Sequence, residues 1–155
     1  MDKCVHICLN GHVILSHKWI NGNEFCEKCG SKMLDKCPSC GNPIKEWDYG
    51  GIPVIGDPSY DRAAYCKHCG SAYPWTQSAI EAATEIIEEE ESLDSTQRTN
   101  LVASLPDIIS ETPKTQVAVI RFKKAIMAAG RFTADALRQF AIDFGCELAK
   151  KQLGL

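Results

Sequence analysis

Beyond Thr76 the apolar residues of this chain recur at three- and four-residue intervals, the spacing that holds side chains on one face of an α-helix. Ser78-Ala-Ile-Glu81 reads as a capping box opening a helix through glutamates 88–91, with Ile80, Ala83 and Ile87 on one face. Asp94 to Ser104 predicts a second helix with Leu101 and Leu105 inward, stopped by Pro106 and followed by a short continuation carrying Ile108 and Ile109. Thr112-Pro113 is a hydroxyl N-cap followed by a proline whose missing N–H costs nothing in a first turn. It starts a third helix that reaches Gly130, with Val119, Phe122, Ile126 and Ala129 at helical spacing. Phe132, Ala136, Phe140, Phe144 and Leu148 recur every four residues and predict a final helix whose stripe is a bundle core or a dimer seam. Up to about Trp75 this rhythm is absent, and Pro, Gly, Tyr and Trp lie among cysteines instead. The expected organisation is a small β domain over residues 1–75 and a helical domain of three to four helices over 76–155.

The first part is too short to bury much apolar surface, so its stability must come from elsewhere. Eight of the nine cysteines precede residue 70, and six form Cys-x-x-Cys pairs: Cys26/Cys29, Cys37/Cys40 and Cys66/Cys69. That spacing lets one tight turn present two sulfurs to the same ion. With Cys8 and His12 the segment offers eight soft donors, enough for two tetrahedral, structural zinc ions, each worth on the order of 10 kcal/mol to a small fold. Ligand spacing favours sharing in chain order, as in tandem zinc ribbons, over a crossed or nested arrangement. On that sharing Cys8, His12, Cys26 and Cys29 take one ion, and Cys37, Cys40, Cys66 and Cys69 the other. Cys4, His6 and His17 compete with His12, which Gly11 favours by supplying a permissive backbone. His68 reads as a solvent-facing turn residue and Cys146 as a small buried hydrophobe.

Charge narrows the partners. The formal net charge is −3, and loss of seven thiol protons against two divalent ions takes it to about −6. Nucleic-acid binding draws most of its affinity from a basic footprint, which this balance opposes. The four consecutive glutamates read as a solvated helix face, and Lys114, Arg121, Lys124 and Arg131 as a basic edge facing those glutamates or an acidic partner. A membrane-surface role is the minor reading of that edge. Met1-Asp2-Lys3-Cys4 lacks the apolar run of a signal peptide, no stretch is long and apolar enough to span a bilayer, and a cytoplasmic location is expected.

The segments Ile7-Cys-Leu-Asn-Gly-His-Val-Ile14, Phe25-Cys-Glu-Lys-Cys-Gly30, Cys37-Pro-Ser-Cys40, Tyr65-Cys-Lys-His-Cys-Gly70, Tyr73-Pro-Trp75 and Thr112-Pro-Lys-Thr-Gln-Val117 resemble the bacterial double-zinc-ribbon family filed as domain of unknown function 2321. The resemblance spans nearly the whole chain. It implies a bacterial origin and the in-order ligand assignment, with Cys4 outside the shared motif, and it implies no activity.

Residues 41–65 form a longer connection than a minimal hairpin needs, and long loops of this kind are often functional. Trp47, Tyr49 and Tyr60, with Tyr73 and Trp75 at the exit, could dock a partner or simply cover the thin ribbon core. The reading that emerges is a non-enzymatic zinc-binding adaptor for a protein partner, its helical half docking there or to a second copy. The alternative is a nucleic-acid-associated ribbon module, with Lys28, Lys32, Lys36 and Lys45 punctuating the cysteine pairs. No nucleophile–base motif marks an enzyme.

Overall fold

The computed structural model describes residues 4–16, 24–44 and 62–155. Within these, strands β1 (Cys4–Cys8), β2 (Val13–Ser16) and β3 (Met33–Leu34) precede helices α1 (Pro74–Glu89), α2 (Ser95–Ile109), α3 (Thr115–Ala128), α4 (Arg131–Phe144) and α5 (Glu147–Leu153). The chain divides into two compact units, Met1–Gln77 and Ser78–Leu155.

The first unit is a small antiparallel sheet in the order β2-β1-β3. Ile7 pairs with Val13 on one side and Leu34 on the other, and Cys8 faces Met33 across the β1–β3 ladder. Cys8, Cys26 and Met33 form a buried cluster with Ile14 packed against it. Two of the cluster's sulfurs belong to the donor set, so among the described residues this cluster has little apolar mass of its own. Tyr73 and Trp75 are buried and stacked with ring centroids 4.6 Å apart. The Trp75 indole N–H donates to the Ala63 carbonyl at 2.9 Å, and the Thr76 hydroxyl to that of Ala64 at 2.8 Å. These two aromatics therefore serve packing, whereas Trp47, Tyr49 and Tyr60 lie outside the described residues.

Helix α1 begins four residues before the expected Ser78. Pro74 occupies its first position, where a proline is preorganised, and the Tyr73 carbonyl accepts from the Thr76 and Gln77 amides. In the second unit α3 packs against α2, α4 and α5. Ile87, Leu101, Leu105, Ile108, Phe122, Leu137 and Ala141 are fully buried there, and Phe122 meets Phe140 at 6.3 Å.

Three helix expectations need correction. Pro106 does not stop α2, which runs on to Ile109. A proline in the last turn removes one ladder bond, and burying Ile108 and Ile109 outweighs it. The final stretch is two helices, because the chain breaks at Gly145 before α5, bringing the total to five. Phe132 is 79% exposed, and the inward face of α4 is Thr133, Ala134, Leu137, Phe140 and Ala141. Four-residue steps drift about 40° each around a helix, so the expected stripe could not stay on one face.

The glutamate run is not uniformly solvated either. Glu90 lies just past α1 and is buried, while Glu88, Glu89 and Glu91 are exposed. Its carboxylate accepts from the Ser92 amide at 3.1 Å and the Gly130 amide at 3.3 Å. The Thr133 hydroxyl, with these amides, holds its pKa below the ordinary 4.5. Its backbone carbonyl receives the Arg98 guanidinium at 2.9 and 2.6 Å. Gly130, the N-cap of α4, has no side chain to satisfy the first turn, and Glu90 supplies the acceptor from another element.

Candidate metal centre

Each Cys-x-x-Cys pair sits in the same turn. The first cysteine amide donates to the carbonyl five residues on: Cys26 to Ser31, Cys37 to Asn42, Cys66 to Ser71, at 2.7, 2.8 and 2.9 Å. Its carbonyl accepts from the glycine amide four residues on, Gly30, Gly41 and Gly70, at 2.7, 2.9 and 2.8 Å. The turn is closed by the seventh residue, Met33, Ile44 or Tyr73, donating to the carbonyl two before the pair, that of Glu24, Asp35 or Ala64. All three glycines have φ of +73°, a conformation that strains other L-residues. All three closing residues are buried, which pins each turn onto its unit.

The fourth turn is different. In Cys8-Leu-Asn-Gly-His12 the Gly11 amide returns to the Cys8 carbonyl at 2.8 Å, with φ +85°, and His12 follows as donor. This places the β1–β2 hairpin turn opposite the Cys26/Cys29 turn, which leads straight into β3. Gly11 is also where neighbouring chain comes close. Its carbonyl accepts from the Arg62 guanidinium, and a Cβ built there would lie 2.9 Å from the Trp75 Cβ.

The donor atoms gather as Cys8, His12, Cys26 and Cys29, and as Cys37, Cys40, Cys66 and Cys69, each four lying within 4.8 Å of one another. Chain-order sharing is thus the arrangement of the structure, rather than a crossed or nested one. Sulfur separations are 3.7 Å for Cys8 to Cys29 and 3.8 Å for both Cys37 to Cys69 and Cys40 to Cys66. A tetrahedron with zinc–sulfur legs of about 2.3 Å has edges of about 3.8 Å. The His12 Nδ1 stands 3.5 Å from the Cys8 sulfur and 3.7 Å from that of Cys26, against about 3.6 Å for a mixed nitrogen–sulfur edge. The donor cysteines are free thiols without disulfides, so both fours are sites able to hold a metal ion.

The other candidates fall elsewhere. His6 is buried on β1, and His68 is exposed in its turn, both outside the two clusters. Cys146 is half-buried at the start of α5. His17 and the Cys4 side chain lie outside the described residues.

A polar layer around the sulfurs escaped the motif reading. Two residues after the second cysteine of each pair stands a hydrogen-bonding side chain: Ser31, Asn42 and Ser71. The Ser31 hydroxyl and amide draw the Cys29 thiol down from 9.0 to about 5. The Ser71 hydroxyl and amide lower that of Cys69. The Asn42 carboxamide donates to the Cys40 sulfur at 3.3 Å. Asn10 in turn holds the Ser31 hydroxyl at 2.8 Å. The His68 amide leads in drawing Cys66 down to about 6, whereas burial pushes the Cys8 and Cys37 thiols up. The repeat Cys-x-x-Cys-Gly-Ser/Asn was the available clue, since such outer donors tune the thiolates that bind metal.

A sequence profile of the family described as an uncharacterized protein conserved in bacteria, domain of unknown function 2321, matches residues 1–153. No curated protein and no solved structure matches the chain.

Proposed function

The chain belongs to the bacterial family of domain of unknown function 2321, and from that membership and its two donor sets we propose that it is a non-enzymatic zinc protein acting as an interaction adaptor. One observation carries the reading: each cluster offers four protein donors, Cys3His and Cys4. Four-coordinate zinc with every position filled by protein has no place for substrate or activated water, so its role is architectural. Thiolate and imidazole donors at tetrahedral edge lengths favour zinc over the hard cations that prefer oxygen. On this reading the metals hold the turns, and Trp47, Tyr49 and Tyr60 form the contact surface for a protein partner in the cytoplasm.

Metal analysis of the purified chain tests the first half. Two equivalents of zinc are expected, falling to one in Cys37→Ser, and a red iron-loaded protein as the native form would refute it. For the adaptor half, partners captured by the wild-type chain should be lost by Trp47→Ser/Tyr49→Ser/Tyr60→Ser. Unchanged capture by that folded, zinc-loaded variant would remove the surface.

One observation favours nucleic acid as a second reading. Lys28, Lys32, Lys36 and Lys67 are exposed on the turns, and none joins an ion pair among the described residues, whereas Lys45 lies outside them. Binding to single-stranded oligonucleotides that weakens steeply with salt would support it, and none at low salt would exclude it.

A further inference from the structure

Between α2 and α3 a cleft of about 280 Å³ opens over an apolar floor of Leu93, Leu101 and Ala125, with Arg121, Lys124, Gln97 and Asn100 around it. We propose that this cleft is a binding site for a carboxylate carried on a short apolar stem, a site separate from the metal centres. All of its lining lies within the second unit.

No acidic residue lines the cleft, although the chain as a whole is acidic. The described ion pairs engage Arg131, Arg138 and Lys150, and neither Arg121 nor Lys124 takes part in one. Arg121 is nevertheless held in place. Its Nη1 donates to the Ser104 hydroxyl at 2.9 Å and the Asn100 carbonyl at 3.3 Å, and Ser104, fully buried, is itself tied to that carbonyl at 2.8 Å. Both acceptors are neutral, so the guanidinium is oriented without being neutralised. Its Nε and Nη2 remain for a second, in-plane partner, the geometry that a carboxylate satisfies with two parallel bonds.

Gln97 is fixed in the same sense. Its side-chain oxygen accepts from the Asp94 amide in the capping box that opens α2, which leaves the carboxamide NH2 as a donor at the rim. Lys124 adds an exposed ammonium without a described partner. Bracing α3 onto α2 accounts for one nitrogen of Arg121 and for nothing else in this set.

Size and floor define the ligand further. The volume lies at the small end of ligand sites, which excludes a nucleotide and suits a short organic acid or one terminal residue of a peptide. An apolar floor beside two cations matches a singly charged, planar head on a hydrocarbon stem better than a phosphate dianion, which needs donors on every side.

Amide NMR spectra of the zinc-loaded full chain provide the test, with sodium hexanoate as probe and hexanol and inorganic phosphate as comparisons. Hexanoate should shift Asn100, Leu101 and Arg121 saturably at millimolar concentration, with hexanol at least about tenfold weaker. Lys124→Gln changes an exposed side chain with no described bond, so the fold stays intact, and it should weaken hexanoate by about tenfold. Arg121→Lys keeps the charge and loses the fork, and should weaken it likewise. Equal binding of hexanol, stronger binding of phosphate, hexanoate binding unaffected by both substitutions, or no saturable shift would each overturn the proposal. A peptide ending in leucine, with free or amidated C-terminus, separates the sources. Tighter binding of the free-ended peptide than of hexanoate assigns the carboxylate to a partner chain, and the reverse assigns it to a small acid.

Discussion

Ser31, Asn42 and Ser71 show how much of a metal site is set by residues that never touch the metal. Zinc takes thiolates, and protons compete for the same sulfurs, so the Ser31 hydroxyl and amide, which lead in lowering the Cys29 pKa to about 5, keep that sulfur ready at neutral pH. Replacing Ser31 with Ala removes the largest of the groups that lower the Cys29 pKa, keeps the backbone amide, and so raises the pKa part of the way back and strengthens proton competition. Zinc transfer from the first site to a chromogenic chelator should then quicken by about tenfold, while Ser71→Ala leaves that site's rate unchanged. Gly11 carries a separate constraint. A methyl group there adds left-handed strain of about 1–2 kcal/mol and also meets Arg62 and Trp75, whereas Gly30 has the same sign of φ and open space. Gly11→Ala should therefore lower the thermal midpoint of the zinc-loaded protein more than Gly30→Ala does. Equal effects would mean that the close approach at Gly11 carries no weight. Six of the eight donors were legible because Cys-x-x-Cys has few other physical uses, and Cys8 and His12 because Gly11 sets up a tight turn between them, but the serines were not, since a serine beside a glycine reads as an ordinary turn.

At the scale of elements, what the sequence disclosed was where helices exist, and what it concealed was how their ends are satisfied. Leu101, Leu105, Val119 and Phe122 were read as inward and are buried. The start of α1 at Pro74 was overlooked because the same proline also suits the exit of a turn. The role of Glu90 was out of reach, because its partners Gly130 and Thr133 lie forty and more residues away and only the fold brings them together. Its depressed pKa gives a signed expectation. A carboxylate held below 4.5 in the folded state adds stability that is fully present above that value and is lost as pH falls through the folded pKa. Glu90→Gln should be less stable than wild type at neutral pH, and the gap should narrow as pH drops below 4.5. Thermal melts of both proteins across that range check it, and a gap independent of pH would show that the charge is irrelevant to capping α4.

On the scale of the whole molecule, the two units hold themselves together by different means. The second buries Ile87, Leu101, Leu105, Phe122, Leu137 and Ala149, all apolar, and needs no metal in its accounting. The first buries Ile7, Met33, Ile44 and Trp75, and it also gathers thiols of raised and lowered pKa within 4.8 Å of one another, Cys8 above and Cys29 below the ordinary value. On the proposed reading, in which zinc fills both sites, removing it withdraws on the order of 10 kcal/mol per site from the unit that holds the donors and little from the other. Exhaustive chelation should erase the dispersed amide signals of residues 4–16, 24–44 and 62–73 while those of α2 to α5 persist, and helical circular dichroism should fall by no more than the α1 contribution. Zinc returned at two equivalents should restore the lost signals in two steps, one of which is missing in Cys37→Ser. If the chelated chain kept its turns, metal would be a passenger on a fold stabilised by β1–β3 pairing alone. If it lost α2 to α5 as well, the interior of the second unit would depend on the first, against the division of the chain into two compact units.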